Sequence, residues 1–598
     1  MKRFLLLVLA AAMAAIVISY TLHSSRRTSS AAVIAILPRE TVALAVIPDF
    51  NAARTQWQRT DFYAMWQEPA LQDFLRKPRR KLASGLSLPA ALDDLERLHA
   101  TDVFLAVMAT EQSGGCIIGG FRFEKNAPEA ETILASWRTR LVSGGTASVH
   151  ETSDYEQHRI ETVTSGSVKV ATASAGEWFL AANDVEELKR LLDRVDGRGK
   201  KPATDVASDD IFAAAYKHMP KNYAALIYAR PDRLATLIAS AAGNAVGASG
   251  GLLTAFAEVQ SFCTATWFDF GKIRDTTFVA TPKKVDGSLS RSSLALGTNE
   301  TFFFFNALGD LAGTLFNRDA SAGTPAALQP VALALSQSGV TPADWSAAFG
   351  SEFSIAGDWA ADSRWPSIVA AVPVKDAARA EQLSTSFSNA AERGDLTQHS
   401  NNGVHYFSVR PTGQLFSISP TIGISDRWLV AGVEAASVEA AIERSKTGAP
   451  GLAAVPAFQS AQAMMRSPQQ SYAYIDTALL YTRIDAALRP MLLMGAAFVP
   501  GINDTVDLGK FPPPEAITKH LSPITMSQSY VDGGYLAESA GPVTVNGMFA
   551  GMVVLGGVGT SFYQQQMYGT AGSAPWRAIP GWPRATASPQ PATPTSTP

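Results

Sequence analysis

The sequence predicts an α+β chain of two tandem duplicated domains, each a mainly antiparallel or mixed sheet with helices packed on it, behind an N-terminal transmembrane helix. Three observations carry this. Residues 177–195, EWFLAANDVEELKRLLDRV, return at 427–445 as RWLVAGVEAASVEAAIERS, and both hand a short apolar run over to an amphipathic helical pattern. Other landmarks recur in the same order: Thr41 and Thr301, Asp102 and Glu352, Cys116 and Ser367, Trp178 and Trp428, Phe212 and Phe458, each pair 246 to 260 residues apart. Strand-like runs come in adjacent hairpin sets with helical stretches between the sets. That order favours antiparallel pairing with helices on one face over a doubly wound parallel sheet. A repeat of about 250 residues far exceeds the roughly 20–50 of solenoids and propellers, so each copy is expected to be globular.

At the amino end, Lys2 and Arg3 precede an apolar stretch at 4–22, followed by His23, Arg26 and Arg27. That stretch is long enough to cross a bilayer and longer than the roughly 7–15 apolar residues of a cleaved leader, so residues 1–27 read as a signal anchor, with a signal peptide as the rival. No Cys follows closely, which excludes lipoprotein processing. The first domain is placed at 28–290. Pro38 turns the chain into a strand at 41–47, and 50–75 reads as helices that direct Trp57, Phe62, Met65 and Trp66 to the core. DVFLAVMAT and CIIGGFRF, split by Ser-Gly-Gly, read as a hairpin. Asn126 with Glu129 reads as a capping box for a helix bearing Ile133, Leu134, Trp137 and Leu141. Asp184 caps the next helix, whose Val185, Leu188, Leu191, Leu192 and Val195 form one stripe. A helix at 209–218 and strands at 223–228, 259–270 and 276–281 complete the copy, with GNAVGASGG at 243–251 as a break.

The second domain is placed at 291–540. It has strands at 302–305, at EFSIA from Glu352 and at SIVAAVPV from Ser367, then a helix bearing Ala380, Leu383 and Phe387. The apolar run 428–432 follows, with Ser437 as the cap and Val438, Ala441 and Ile442 as the stripe. Residues 541–563 are a candidate second membrane segment, because 543–562 is apolar and Gly547 and Gly551 have the spacing of membrane helix-packing motifs. The Pro- and Thr-rich tail at 564–598 is expected to be disordered.

Hydrophobic residues make up 46% and charged residues 17%, enough apolar material for sizeable cores, and a net charge of -3 gives no electrostatic case for a nucleic-acid partner. Two cysteines, Cys116 and Cys263, exclude a disulfide scaffold, a cysteine zinc site and an iron–sulfur cluster, and leave one bridge open. None of the eight histidines has HExxH spacing. His399 and His405 flank a Ser-Asn-Asn-Gly turn and either meet across a hairpin or stand in solvent, the latter being favoured. Ser249 fits the letters G-x-S-x-G, but no strand runs into it. GGVGTS at 556–561 lacks the lysine of a phosphate loop. The adjacent carboxylates Glu186 with Glu187 and Asp209 with Asp210 diverge on a helix and read as caps and solvated faces. No catalytic, cofactor-binding or metal-ligating residue is therefore assigned. The best local electrostatic feature is Arg76, Lys77, Arg79, Arg80 and Lys81, a candidate contact for anionic lipid worth about 1 kcal/mol per basic residue, set against a solvated helix end.

The stretch Leu37-Pro38-Arg39-Glu40-Thr41 after an apolar leader resembles the Leu-Pro-x-(Asp/Glu)-Thr start of a large bacterial family described only as a domain of unknown function. The second copy departs from it, with Leu296-Gly297-Thr298-Asn299-Glu300-Thr301. The resemblance implies a bacterial envelope protein and supplies no catalytic residues.

The expectation is therefore a non-enzymatic protein anchored in the bacterial inner membrane through its N-terminal helix, with its bulk in the periplasm. It binds a protein, a lipid or another hydrophobic ligand and needs no cofactor. Two alternatives stand beside it: an extracytoplasmic hydrolase or transferase whose site is gathered from distant residues, such as His150, His158 and carboxylates, and a structural scaffold of the envelope that uses both membrane segments.

Overall fold

The structure is a computed structural model that describes residues 31–545 except 78–87, 110–114, 125–128, 144–147, 166–167, 199–203, 243–258, 283, 317–338, 393–395, 410–418, 449–450 and 497–506. Its strands in the first half are β1 (Thr41–Asp49), β2 (Thr101–Met108), β3 (Cys116–Arg122), β4 (Ser148–Tyr155), β5 (His158–Ser165), β6 (Val168–Ala175), β7 (Trp178–Ala182), β8 (Ala225–Ala229), β9 (Ser261–Asp269) and β10 (Lys272–Ala280). Those of the second half are β11 (Thr301–Leu308), β12 (Glu352–Asp358), β13 (Ser367–Pro373), β14 (Leu396–Asn401), β15 (Val404–Val409), β16 (Thr421–Ile424), β17 (Trp428–Gly432), β18 (Ser471–Ile475), β19 (Ile524–Val531) and β20 (Gly534–Gly541).

All belong to one 20-stranded sheet. The first half runs β4-β5-β6-β7-β3-β2-β1-β8-β9-β10, every neighbouring pair antiparallel. The second half repeats that order as β14-β15-β16-β17-β13-β12-β11-β18-β19-β20. Even an irregularity recurs: the ladder slips between Thr41 and Ala43 in β1 and between Thr301 and Phe303 in β11. The halves join where β10 pairs with β20, from Ile273 opposite Gly541 to Ala280 opposite Gly534. Residues on either side of position 290 thus share one sheet.

Helices cover both faces of the sheet, which corrects the expectation of one covered face. In the first half one core gathers Val33, Ile34 and Ile36 of helix Ala31–Ile36, Leu188, Leu191 and Leu192 of helix Val185–Val195, and Phe212 of helix Asp210–Tyr216 against Leu44, Val46, Ile118 and Leu180. The other gathers Phe50 and Ala53 of helix Phe50–Trp57, Leu95 of helix Leu88–Arg97 and Ile133 of helix Ala130–Ser143 against Ile47, Phe121 and Phe179. Neighbouring strand residues such as Phe179 and Leu180 fall in different cores because successive side chains leave a strand on opposite faces. The second half has the same two layers. Leu311, Trp345 and Phe387 build one, and Val438, Ile442 and Phe458 the other.

Local chemistry sets the element ends. Asp184 Oδ1 accepts from the amides of Glu186 (2.8 Å) and Glu187 (3.2 Å), the arrangement its position suggests. In the second copy the helix is Ala435–Thr447, capped by Glu434 without a side-chain hydrogen bond, so Ser437 lies inside the first turn and is not the cap. Helix Ala130–Ser143 carries the expected Ile133 and Leu134 in its core, while Asn126 lies outside the described residues. Trp57 is buried, but Phe62, Met65 and Trp66 are only half-buried, since helices Asp61–Trp66 and Pro69–Phe74 have no fully buried residue. Those two helices meet the second half instead: Phe74 packs edge-on against Phe511 at 5.1 Å, and Glu68 pairs with His520 (2.6 Å) and Lys519 (2.8 Å).

The expected signal anchor at 1–27, the tail and all of the candidate second membrane segment beyond Val545 lie outside the described residues. Among the described residues no helix is long and apolar enough to cross a membrane.

Candidate functional site

A cleft of about 370 Å³ opens in the first half, lined by Arg39, Glu40, Asp209, Asp210, Ile211, Arg230 and Arg233. Three pieces of chain build it. The turn before β1 carries Arg39 and Glu40. It is fixed by the Thr41 amide and hydroxyl donating to Pro38 O (3.1 and 2.6 Å) and by the Arg39 amide donating to Thr204 O (3.1 Å). Asp209 caps helix Asp210–Tyr216, its Oδ1 accepting from the Ile211 amide at 2.8 Å. Arg230 follows β8, its amide held by Val42 O at 2.7 Å, and leads into helix Pro231–Ala242 with Arg233.

The charges in the wall are not equivalent. Arg230 has a side chain only 7% exposed, and it forks onto Asp232 through Nε (3.1 Å) and Nη2 (2.8 Å) while Nη1 lies 3.9 Å from the buried Asp209. Burial opposes the Arg230 charge, yet the bond to Asp232 and the nearby carboxylates outweigh it and raise the guanidinium above its usual range. Asp232 likewise is held below the usual carboxylate range, because the Arg230 fork overcomes its desolvation. Behind this pair lies Tyr228, fully buried, with its hydroxyl lacking any hydrogen-bond partner. Its proton is held tightly, by burial first and by the charge of Asp209 second. Arg39, Glu40, Asp210 and Arg233 are exposed, and no counter-charge lies within 4 Å of them among the described residues.

A second feature is apolar. Helix Thr477–Ala496 leaves Ile484 (38% exposed), Leu488 (38%), Met491 (40%), Leu492 (41%) and Met494 (61%) in solvent. The spacing 484, 488, 491 puts these side chains on one stripe. Trp365, 52% exposed, extends it, since Arg364 lies over the Trp365 ring at 5.4 Å and reaches Met491 Sδ at 3.5 Å. The other side of the helix is pinned: Arg489 binds Asp485 (2.6 Å), donates to Pro512 O (2.6 Å) and covers the Phe511 ring at 4.5 Å.

The residues singled out in the sequence are dispersed. Of the basic cluster, Arg76 stands 3.9 Å from Asp73 and Lys77 4.0 Å from Asp507, while Arg79, Arg80 and Lys81 lie outside the described residues. His399 pairs across the β14–β15 hairpin with Tyr406, and His405 with Ser400, so the two histidines project to opposite faces and do not meet. Each takes its own partner, Glu439 at 3.0 Å and Glu381 at 3.5 Å. His158 binds Asp196 (2.8 Å) and His150 lies 4.0 Å from Glu161, two separate contacts and not one pocket. Glu186 binds Lys189 and Glu187 binds Arg190 along their helix. Ser249 and residues 556–561 lie outside the described residues. Cys116 and Cys263 are both free thiols in the same buried core. Among the described residues no group of three or more His, Cys, Asp or Glu is placed to hold a metal.

Two comparisons bear on identity. No curated protein matches the chain. Residues 333–493, which hold β12 to β18 and most of the apolar helix, match a family model described as a protein of unknown function, DUF3352.

Proposed function

We propose that this is a non-enzymatic bacterial envelope protein, anchored in the inner membrane through residues 1–27, whose periplasmic body binds a hydrophobic ligand or a partner protein. The observation that carries the reading is the apolar face of helix Thr477–Ala496 with Trp365 beside it. Scattered exposed apolar residues need no explanation, but five on one helix, continued by a Trp, form the kind of patch that marks interaction sites. Met and Trp suit the purpose, because Met adapts to irregular surfaces and Trp supplies a large rigid contact. The apolar stretch at 4–22 with its flanking Lys2 and Arg3 supports the anchor.

We read 28–290 and 291–540 as duplicated domains fused along one sheet. The repeated pairing order and the recurring slip at Thr41 and Thr301 support that history. Placing a photo-crosslinking amino acid at position 488 or 491 in living bacteria tests the binding face, with position 397 on β14 as the control. A discrete adduct from 488 and 491 that is missing from 397 is expected. No adduct, or the same adducts from all three sites, sinks the reading.

A further inference from the structure

The two halves place equivalent backbone at the cleft, so their differences in side chains are informative. Arg230 and Asp476 hold the same station: the Arg230 amide donates to Val42 O at 2.7 Å, the Asp476 amide to Phe302 O at 2.8 Å, and Leu234 and Leu480 bond back to their carbonyls at 2.8 and 2.9 Å. Asp209 and Val455 correspond as the residues capping helices Asp210–Tyr216 and Pro456–Ala463, bonded by Ala213 and Gln459. Arg39 and Asn299 occupy the turns closed by Thr41 and Thr301. Where the first half has Arg39, Asp209, Arg230 and Arg233, the second has Asn299, Val455, Asp476 and Leu479. Glu300, the counterpart of Glu40, is taken by Arg483 at 2.6 Å. Tyr474, the counterpart of Tyr228, donates to Asp476 Oδ2 at 3.2 Å, whereas the Tyr228 hydroxyl has no partner. The second half therefore satisfies Tyr474 and Glu300 of this station internally, and the first half departs from it toward charge. An orphaned buried hydroxyl works against stability, and such departures concentrate at functional sites.

We propose that the cleft binds a small zwitterionic molecule, its anionic group held by the guanidiniums of Arg39 and Arg233 and its ammonium by Glu40 and Asp210. Arg230, tied to Asp232 and Asp209, forms a fixed wall and keeps no free fork for a ligand. A lone anion meets the repulsion of Glu40 and Asp210, and a lone cation that of the arginines. A molecule with both charges finds a complement for each among the lining residues. A guanidinium matches a carboxylate or a phosphate as a two-point fork, and the cleft volume lies in the range of small-ligand sites. The shared chemistry fits a free amino acid or a dipeptide and an ethanolamine phosphate headgroup alike.

Titration calorimetry on the full chain in mild detergent tests this with four probes: glycylglycine, glycerophosphoethanolamine, inorganic phosphate and ethanolamine. At least one zwitterion is expected to bind roughly tenfold tighter than phosphate or ethanolamine alone. Arg39→Gln and Arg233→Gln should each weaken that binding about tenfold while leaving the unfolding temperature of the free protein unchanged, since both side chains are exposed. A response to the dipeptide alone assigns the amino-acid type, and a response to glycerophosphoethanolamine alone the headgroup type. Binding of inorganic phosphate as tight as either zwitterion, heat from neither zwitterion, or affinities unmoved by both substitutions would overturn the proposal.

Discussion

Thr276 of β10 and Glu538 of β20 face one another across the middle of the sheet, and each stands five residues beyond the glycine of its own hairpin turn, Gly271 and Gly533. At the other seam positions a residue of one strand meets a residue that is not its counterpart. A local two-fold axis therefore passes through this pair and relates β1–β10 to β11–β20. Such self-complementary pairing is what joins the subunits of a symmetric dimer, here supplied by one chain. It also closes two sheet edges, leaving β4 and the largely exposed, polar β14 as the outer strands, which suits edges that must resist further pairing.

If the halves are equivalent in packing, equivalent deletions should weaken the protein alike. Phe212 and Phe458 are fully buried in matching helices, Phe212 edge-on to Tyr228 at 4.8 Å and Phe458 to Tyr474 at 5.1 Å. Phe212→Ala and Phe458→Ala are each expected to lower stability by about 3–5 kcal/mol. Because the sheet is continuous, both should shift one common unfolding transition in calorimetry. Two separate transitions, each answering to one substitution, would contradict this.

Asp275 gives the seam a pH dependence. It is fully buried, accepts from the hydroxyls of Thr266 (2.6 Å) and Thr544, and burial pushes its carboxyl from the usual 3.8 up to about 6 in spite of those bonds. A carboxyl whose native pKa exceeds its unfolded one holds its proton more tightly when folded. Its contribution is full below the unfolded value and is lost as pH rises through the native one. Between pH 4 and 6.5 the wild type should lose about 2 kcal/mol at this site. Asp275→Asn should show no such loss, so denaturant midpoints of the two proteins should diverge over that window. Parallel curves would show that the carboxyl titrates normally.

Much of this was legible in the sequence, for identifiable reasons. The handover from β7 to helix Val185–Val195 shows two clear periods, an apolar run and a stripe at Leu188, Leu191 and Leu192, with Asp184 as its cap. The expectation of one covered face fails at β16 and β17, which are buried along their whole length, as strands with no solvent face are. The seam was hidden, because KIRDTTFVA and GYLAESAG look like any outer strands and their pairing spans more than half the described chain. The cleft was half visible. Glu40 stood in the Leu-Pro-x-Glu-Thr stretch and Asp209 in a cap, but only folding brings Arg230 and Arg233 to them. The stripe of the apolar helix is blurred in the sequence by Pro490 and by the apolar run at 491–494 that follows it.

The tip of the β9–β10 hairpin carries an unusual choice. Phe270 takes a left-handed φ of 47° and is 94% exposed, where the matching β19–β20 turn has Asp532 at the same φ. A bulky residue in that region is strained, and Asn before Gly is the favoured pair. Phe270→Asn is expected to stabilise the protein by about 1 kcal/mol, read as a higher unfolding temperature. A fall in unfolding temperature would mean that the ring makes contacts which outweigh the strain.

The two thiols should be inert. Burial, helped by the charges of Glu187 and Asp184, pushes Cys116 up to about 12, and burial raises Cys263 as well. Native protein at pH 8 should take up no iodoacetamide, and denatured protein should take up two equivalents without prior reduction. Labelling of the denatured protein only after reduction would reveal a disulfide.

Native mass spectrometry of the full chain released from detergent tests the binding function most directly. Wild type is expected to carry an added mass that leaves on activation, and Leu488→Gln with Leu492→Gln should arrive bare while unfolding at the same temperature. A bare wild-type monomer, or an added mass that persists in the double variant, would contradict binding through the apolar face.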